Sequence, residues 1–169
     1  MTFSEPGAYK VGVTVTDDDG GSAGGELWMI VVGDATKTLG PGYWKHQYEG
    51  TGQPQVDSAS LSGYLEIVGL VSGVFSEKTA LASPGDASVV LSPNSGDKRA
   101  VATAGLLGAW HHFASGAVPW NATASLGQDQ SAPYLTVMAE IESIILNPAA
   151  GEADLLKASN LAQRIRQSA

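Results

Sequence analysis

The sequence predicts a mainly α protein, a compact bundle of five or six helices that carries a β-hairpin at its N-terminal end. Three observations predict it. Apolar residues make up 43% of the 169 and charged residues only 15%, enough to fill a core and too little charge for a disordered chain. Near the start, Tyr9, Val11, Val13 and Val15 alternate with Lys10, Gly12, Thr14 and Thr16, the period of a half-buried strand. From residue 57 onward the apolar residues instead return at three- and four-residue steps, and capping residues precede most of these runs.

Taken in order, the first strand ends at Asp17-Asp18-Asp19-Gly20-Gly21, an acidic, glycine-rich turn. The second strand, Leu27 to Val32, is apolar on both faces and so calls for cover on two sides. Residues 34–42 read as a polar linker. Asp57 and Ser58 then cap a helix whose stripe is Leu61, Tyr64, Leu65, Val68, Val71 and Phe75, and Ser76 starts a short helix through Leu81. Ser83-Pro84-Gly85-Asp86 is a capping-box-like start with proline at the first helical position, and Pro93 ends the helix it opens. Asp97 opens Lys98 to Ala114, apolar nearly all round and therefore the buried central helix. Ser131-Ala132-Pro133 begins another, with Leu135, Met138, Ile141 and Ile145 on its stripe. The last, Glu152 to Arg166, puts acids first and Arg164 and Arg166 last, as the helix dipole favours.

The stretch Pro6-Gly7-Ala8-Tyr9-Lys10-Val11, continued by Val13-Thr14-Val15-Thr16-Asp17-Asp18-Asp19-Gly20-Gly21, resembles the end of a polycystic-kidney-disease-type repeat. The resemblance covers about a fifth of the chain. It implies that residues 1–33 are the last two strands of a truncated immunoglobulin-like sandwich whose earlier strands are missing, with a linker at 34–42 and a helical domain at 43–169. The opening Gly42-Tyr43-Trp44-Lys45 of that domain is similar to domains that come after such repeats in secreted or surface proteins of bacteria. The two resemblances imply an extracellular or cell-surface location, with an export signal expected upstream of Met1. An orphaned hairpin also needs shelter, against the helical domain or against a second copy of the chain, so a homo-oligomer through the hairpin is expected.

Bulk properties exclude several functions. The net charge is −8, with no basic stripe, which argues against nucleic acid as a partner. There is no cysteine, hence no disulfide, thiolate nucleophile or cysteine-bound zinc. No apolar run approaches the roughly 20 residues a membrane span needs.

Five groups of residues could carry chemistry. His46, His111 and His112 with Glu49 offer zinc ligands, and a zinc-bound water would suit a small hydrolase of esters or phosphoesters. Adjacent helical residues diverge by about 100°, however, so His111 and His112 do not readily share one ion. His111 also falls on the stripe of Val101, Ala104 and Leu107, where a hydrogen-bonded core histidine is the plain alternative. Trp44, Tyr48 and Trp120 lie in polar or glycine-rich surroundings and could stack on a glycan, although the tryptophans could equally anchor the core. Asp17, Asp18 and Asp19 could hold calcium, but no EF-hand spacing is present. Gly20-Gly21-Ser22-Ala23-Gly24 has the form of a nucleophile elbow but sits in a hairpin turn. Glu140 and Glu142 are two apart on one helix and face away from each other. The resulting expectation is a non-catalytic extracellular interaction or carbohydrate-binding module, with a glycan or surface protein as partner; the alternative is the histidine-metal hydrolase.

Overall fold

Strands β1 (Gly7–Thr16) and β2 (Ser22–Val31) pair antiparallel with Gly7 opposite Val31 and Thr16 opposite Ser22. The computed structural model describes residues 2–127 and 130–167. After the hairpin come helices α1 (Pro41–Glu49) and α2 (Ser58–Val71), a π-helical turn (Val74–Lys78), α3 (Pro84–Val90) and α4 (Lys98–Ala114). A second, short antiparallel pair, β3 (Thr123–Gly127) and β4 (Gln130–Pro133), leads into α5 (Tyr134–Leu146) and α6 (Glu152–Gln167).

The expected caps form. Asp57 accepts from the amides of Ala59 and Ser60 at 2.9 Å each, Ser83 from Asp86 at 3.2 Å, and Asp97 from Ala100 at 3.0 Å. Each satisfies amides that the first helical turn leaves unpaired. Helix α4 is the axis: α1, α2, α3, α5 and α6 all pack on it, and eleven of its seventeen residues are buried. Leu106, Leu107, Met138, Ile141 and Ile165 have no or almost no exposed surface and form the centre of one continuous core.

Four elements differ from expectation. Helix α1 occupies a stretch where the sequence suggests none, although proline at its start and Gly50 in the left-handed conformation just beyond it are the usual terminal signals. The expected helix over 76–81 is instead the π turn. Helix α2 stops at Ser72 because Glu142 of α5 takes the Ser72 hydroxyl at 2.5 Å and the Gly73 amide at 3.1 Å. Ser131-Ala132-Pro133 is strand β4, with α5 starting one residue later; pairing with β3 outcompetes a cap there.

The hairpin is held by its base alone. Gly7 is buried, the Pro6 carbonyl lies against Gly63 of α2, and Ile30 packs on the core. The segment expected as a free linker is strapped to the body instead. Gly33 N–H donates to the Ala114 carbonyl at 2.9 Å, Ala35 N–H to the Ser115 carbonyl at 2.8 Å, and the Thr38 hydroxyl to the Arg166 carbonyl at 3.1 Å. Gly116, at φ 84°, lies against the Gly33 carbonyl where a Cβ would collide.

A Cβ at Gly63 would strike the Pro6 carbonyl, whereas one at Gly69, on the same helix, meets nothing within 4 Å. Gly63→Ala is therefore expected to cost about 1–3 kcal/mol, and Gly69→Ala to be neutral or stabilising by up to about 1 kcal/mol. Urea unfolding measures both. Hydrogen exchange should show the Gly63 variant losing protection in β1 and β2 while α4 keeps it.

Candidate functional site

The sequence points to α1 and the end of α4, and the structure does bring Trp44, Tyr48 and His111 together, but inside the core. Residues 44, 47 and 48 are the buried face of α1, and they meet α4 where His111 lies one turn after Leu107. The Trp44 ring sits 4.8 Å from the His111 ring, and Tyr48 and Tyr64 meet the imidazole edge-on. His111 Nδ1 is 2.7 Å from the Leu107 carbonyl, which only accepts, so this nitrogen carries the proton. Nε2 is then left to accept from the Tyr48 hydroxyl at 2.5 Å. Both ring nitrogens are thus used within the protein, and no lone pair remains for a metal. Burial pushes the His111 pKa down to about 4 and raises that of the Tyr48 hydroxyl, so both partners stay neutral.

His112 points elsewhere. Its Nε2 donates to the Leu39 carbonyl at 2.8 Å, and its Nδ1 is buried without a partner. Burial lowers its pKa to about 4 as well, with a smaller contribution from the charge of Arg166. His46 is exposed and bonds Thr51 at 3.1 Å; Glu49 accepts from Ser88 and pairs with Lys45.

These placements correct the expected sites. Among the described residues no group of three or more His, Cys, Asp or Glu side chains could hold a metal ion. The zinc set of His46, His111, His112 and Glu49 is therefore not assembled: two of its imidazoles are core members and the other two groups are engaged nearer the surface. The calcium reading of Asp17, Asp18 and Asp19 fares no better, since Asp17 is occupied by the Gly21 amide at 2.6 Å. The glycan platform is dismantled too. Trp44 is 2% and Tyr48 8% exposed, while Trp120 is 71% exposed, so only one of the three aromatics is open to a ligand. Core demand explains it: α1 is short, and its large side chains fill the space beside α4.

The two glutamates of α5 hold elements together. Glu142 gathers Ser72, Gly73 and the Trp110 indole N–H, the last at 2.8 Å, and so ties α5 to α2 and α4. Glu140 pairs with Lys157 on α6. Neither role is visible from their spacing in the chain.

The hairpin leaves its larger apolar side chains open. Residues facing each other across the pair share a face. On one face lie Tyr9 with Met29, Val11 with Leu27, then Val13 and Val15 opposite Gly25 and Ala23. On the other lie Lys10 with Trp28, Gly12 with Glu26, and Thr14 and Thr16. The body touches the second face, through Ile30. Phe3, 4.3 Å from Tyr9, shields only the base of the first. Val13, Val15, Leu27 and Met29 are 55%, 65%, 52% and 39% exposed. The cover that the second strand calls for on both sides is missing: from Trp28 back towards the turn, neither face is buried.

No family model matches the chain, and neither does any curated protein or solved structure.

The two buried imidazoles set a pH dependence. Unfolded histidine titrates near 6.5, while both are held neutral down to about 4 in the fold. Unfolding therefore takes up protons once the pH falls below 6.5. The stability is fully present above that value and is lost towards pH 4, by roughly 1.4 kcal/mol per pH unit for each histidine. Urea unfolding at pH 7, 6 and 5 should show this slope, and His112→Gln should halve it.

Proposed function

We propose that this protein is a non-catalytic interaction module, working at the cell surface or outside the cell, whose docking element is the N-terminal hairpin. The observation that carries the reading is the apolar face of Val11, Val13, Val15, Leu27 and Met29, the last four of them exposed. Contiguous apolar surface of this kind, rimmed by polar residues, is the mark of an interaction site. The location rests on the resemblance of residues 6–21 to the end of an extracellular repeat. Among the described residues no helix is long and apolar enough to cross a membrane.

A second copy of the chain is the simplest partner. The face carries no charge, so two copies meet without repulsion, and the Lys10–Glu26 pair lies on the opposite face. Covering four half-exposed side chains returns about 1 kcal/mol each, or about 8 kcal/mol for two copies, against an association cost of roughly 4–15 kcal/mol. The balance favours a reversible, concentration-dependent complex over an obligate dimer.

Sedimentation velocity across a concentration series is expected to show the mass rising towards a dimer. Val13→Lys, which places a charge on the face and touches nothing in the body, should weaken association about tenfold or more. A protein that stays monomeric throughout, or a Val13→Lys variant that associates as well as the parent, would overturn self-docking.

A further inference from the structure

A cleft of about 290 Å³ runs between α4 and α6 and ends at the start of α1. Its floor is α4, where Gly105 and Gly108 let Ala162 and Pro41 approach closely. Its α6 wall presents Ser159, Gln163 and Arg166, spaced four and three residues apart and so on one helical face. None of the residues that line it is acidic.

Arg166 is the singular group here. The chain has a net charge of −8, and its other arginines are engaged: Arg99 holds the Ile145 and Asn147 carbonyls, and Arg164 the Leu126 carbonyl. Among the described residues the Arg166 guanidinium makes no hydrogen bond or ion pair. It lies over Gly40, with Nη1 only 3.0 Å from where a Cβ would be. Gly40 is the N-cap of α1, which has no side-chain cap and no acid in its first turn. A guanidinium and the positive end of a helix therefore share one spot without a counter-charge among the described residues, at the mouth of a cleft whose other walls are apolar.

We propose that this cleft binds a small organic carboxylate, its anionic head on Arg166 at the start of α1 and its apolar body between Val101, Ala104 and Leu91. The planar fork of the guanidinium matches a carboxylate bidentately. A phosphate dianion fits the site less well, because one cation would face two charges inside a strongly acidic protein. The cleft sits at the lower edge of the roughly 300–1,000 Å³ typical of ligand sites, so the body is short.

The test is an amide and arginine-side-chain NMR titration of the intact chain with hexanoate, hexanamide and inorganic phosphate. Hexanoate should shift the Gly105 and Gly108 amides and the Arg166 Nε–H saturably; hexanamide and phosphate should not. Arg166→Gln should weaken hexanoate about tenfold or more. Ser159→Phe, which fills the cleft from α6 and leaves the charge in place, should weaken it as well. Equal binding of hexanamide, tighter binding of phosphate, absence of saturable shifts with hexanoate, or undiminished binding in both variants would each overturn the proposal.

Discussion

Everything in the helical body turns on a helix that has no outside. Because α4 is covered by five other helices, its side chains have to be accommodated in every direction, including two imidazoles that water would normally solvate. Burying an imidazole without partners costs about 1–3 kcal/mol per unpaired group, so the surrounding elements are arranged to supply them. Tyr48 of α1 gives His111 a donor, and the Leu39 carbonyl gives His112 an acceptor. These two bonds fix where α1 docks and why the segment before it is not free. His111, with both ring nitrogens committed to the protein, is a structural part; His112 is held through Nε2 alone and keeps a buried Nδ1 without a partner.

How far the sequence revealed this depends on the range of the forces involved. Caps act over three residues, so Asp57, Ser83 and Asp97 could be read directly, and the helices they open came with them. His111 was equally legible as a core residue, because it shares the stripe of Val101, Ala104 and Leu107. His112 was not: its burial comes from the 34–40 segment folding across the end of α4, a contact seventy-three positions away in the chain. The same distance problem hid the stop of α2, since nothing near Ser72 announces that Glu142 will take its hydroxyl. Trp44 and Tyr48 were misplaced for a related reason. Glycines on both sides suggested exposure, but the short α1 turns its largest residues inward because the neighbouring core needs their volume.

Polar groups in the body show a consistent division. Carboxylates and guanidinium groups that touch the interior serve as anchors between elements: Glu142 joins three, and Arg99 closes the C-terminal carbonyls of α5. The exposed ion pairs Lys10–Glu26 and Lys157–Glu140 contribute little individually, as solvated pairs do. Against that background the Arg166 guanidinium, without an acceptor among the described residues, is an unusual placement of positive charge in an acidic chain. The pattern of the rest makes it informative.

The hairpin stands under a different constraint. A two-stranded ribbon is marginal alone, and here ten residue pairs project from a seat only a few residues deep. What keeps the ribbon in place is steric. Pro6 is pressed against Gly63 of α2 at one end, and Gly33 against Gly116 beyond α4 at the other, each contact possible only because a glycine has no Cβ. The two seats clamp both ends of the hairpin to different helices. The ribbon cannot swing on one strand without pulling the other from its place. A partner gripping Val11, Val13 and Leu27 would therefore meet a face already oriented, and would lose less of its binding energy to ordering it. The same clamp links that face to the end of α4, since the strand leaving the hairpin passes from the Ala114 carbonyl straight to the Leu39 carbonyl that holds His112.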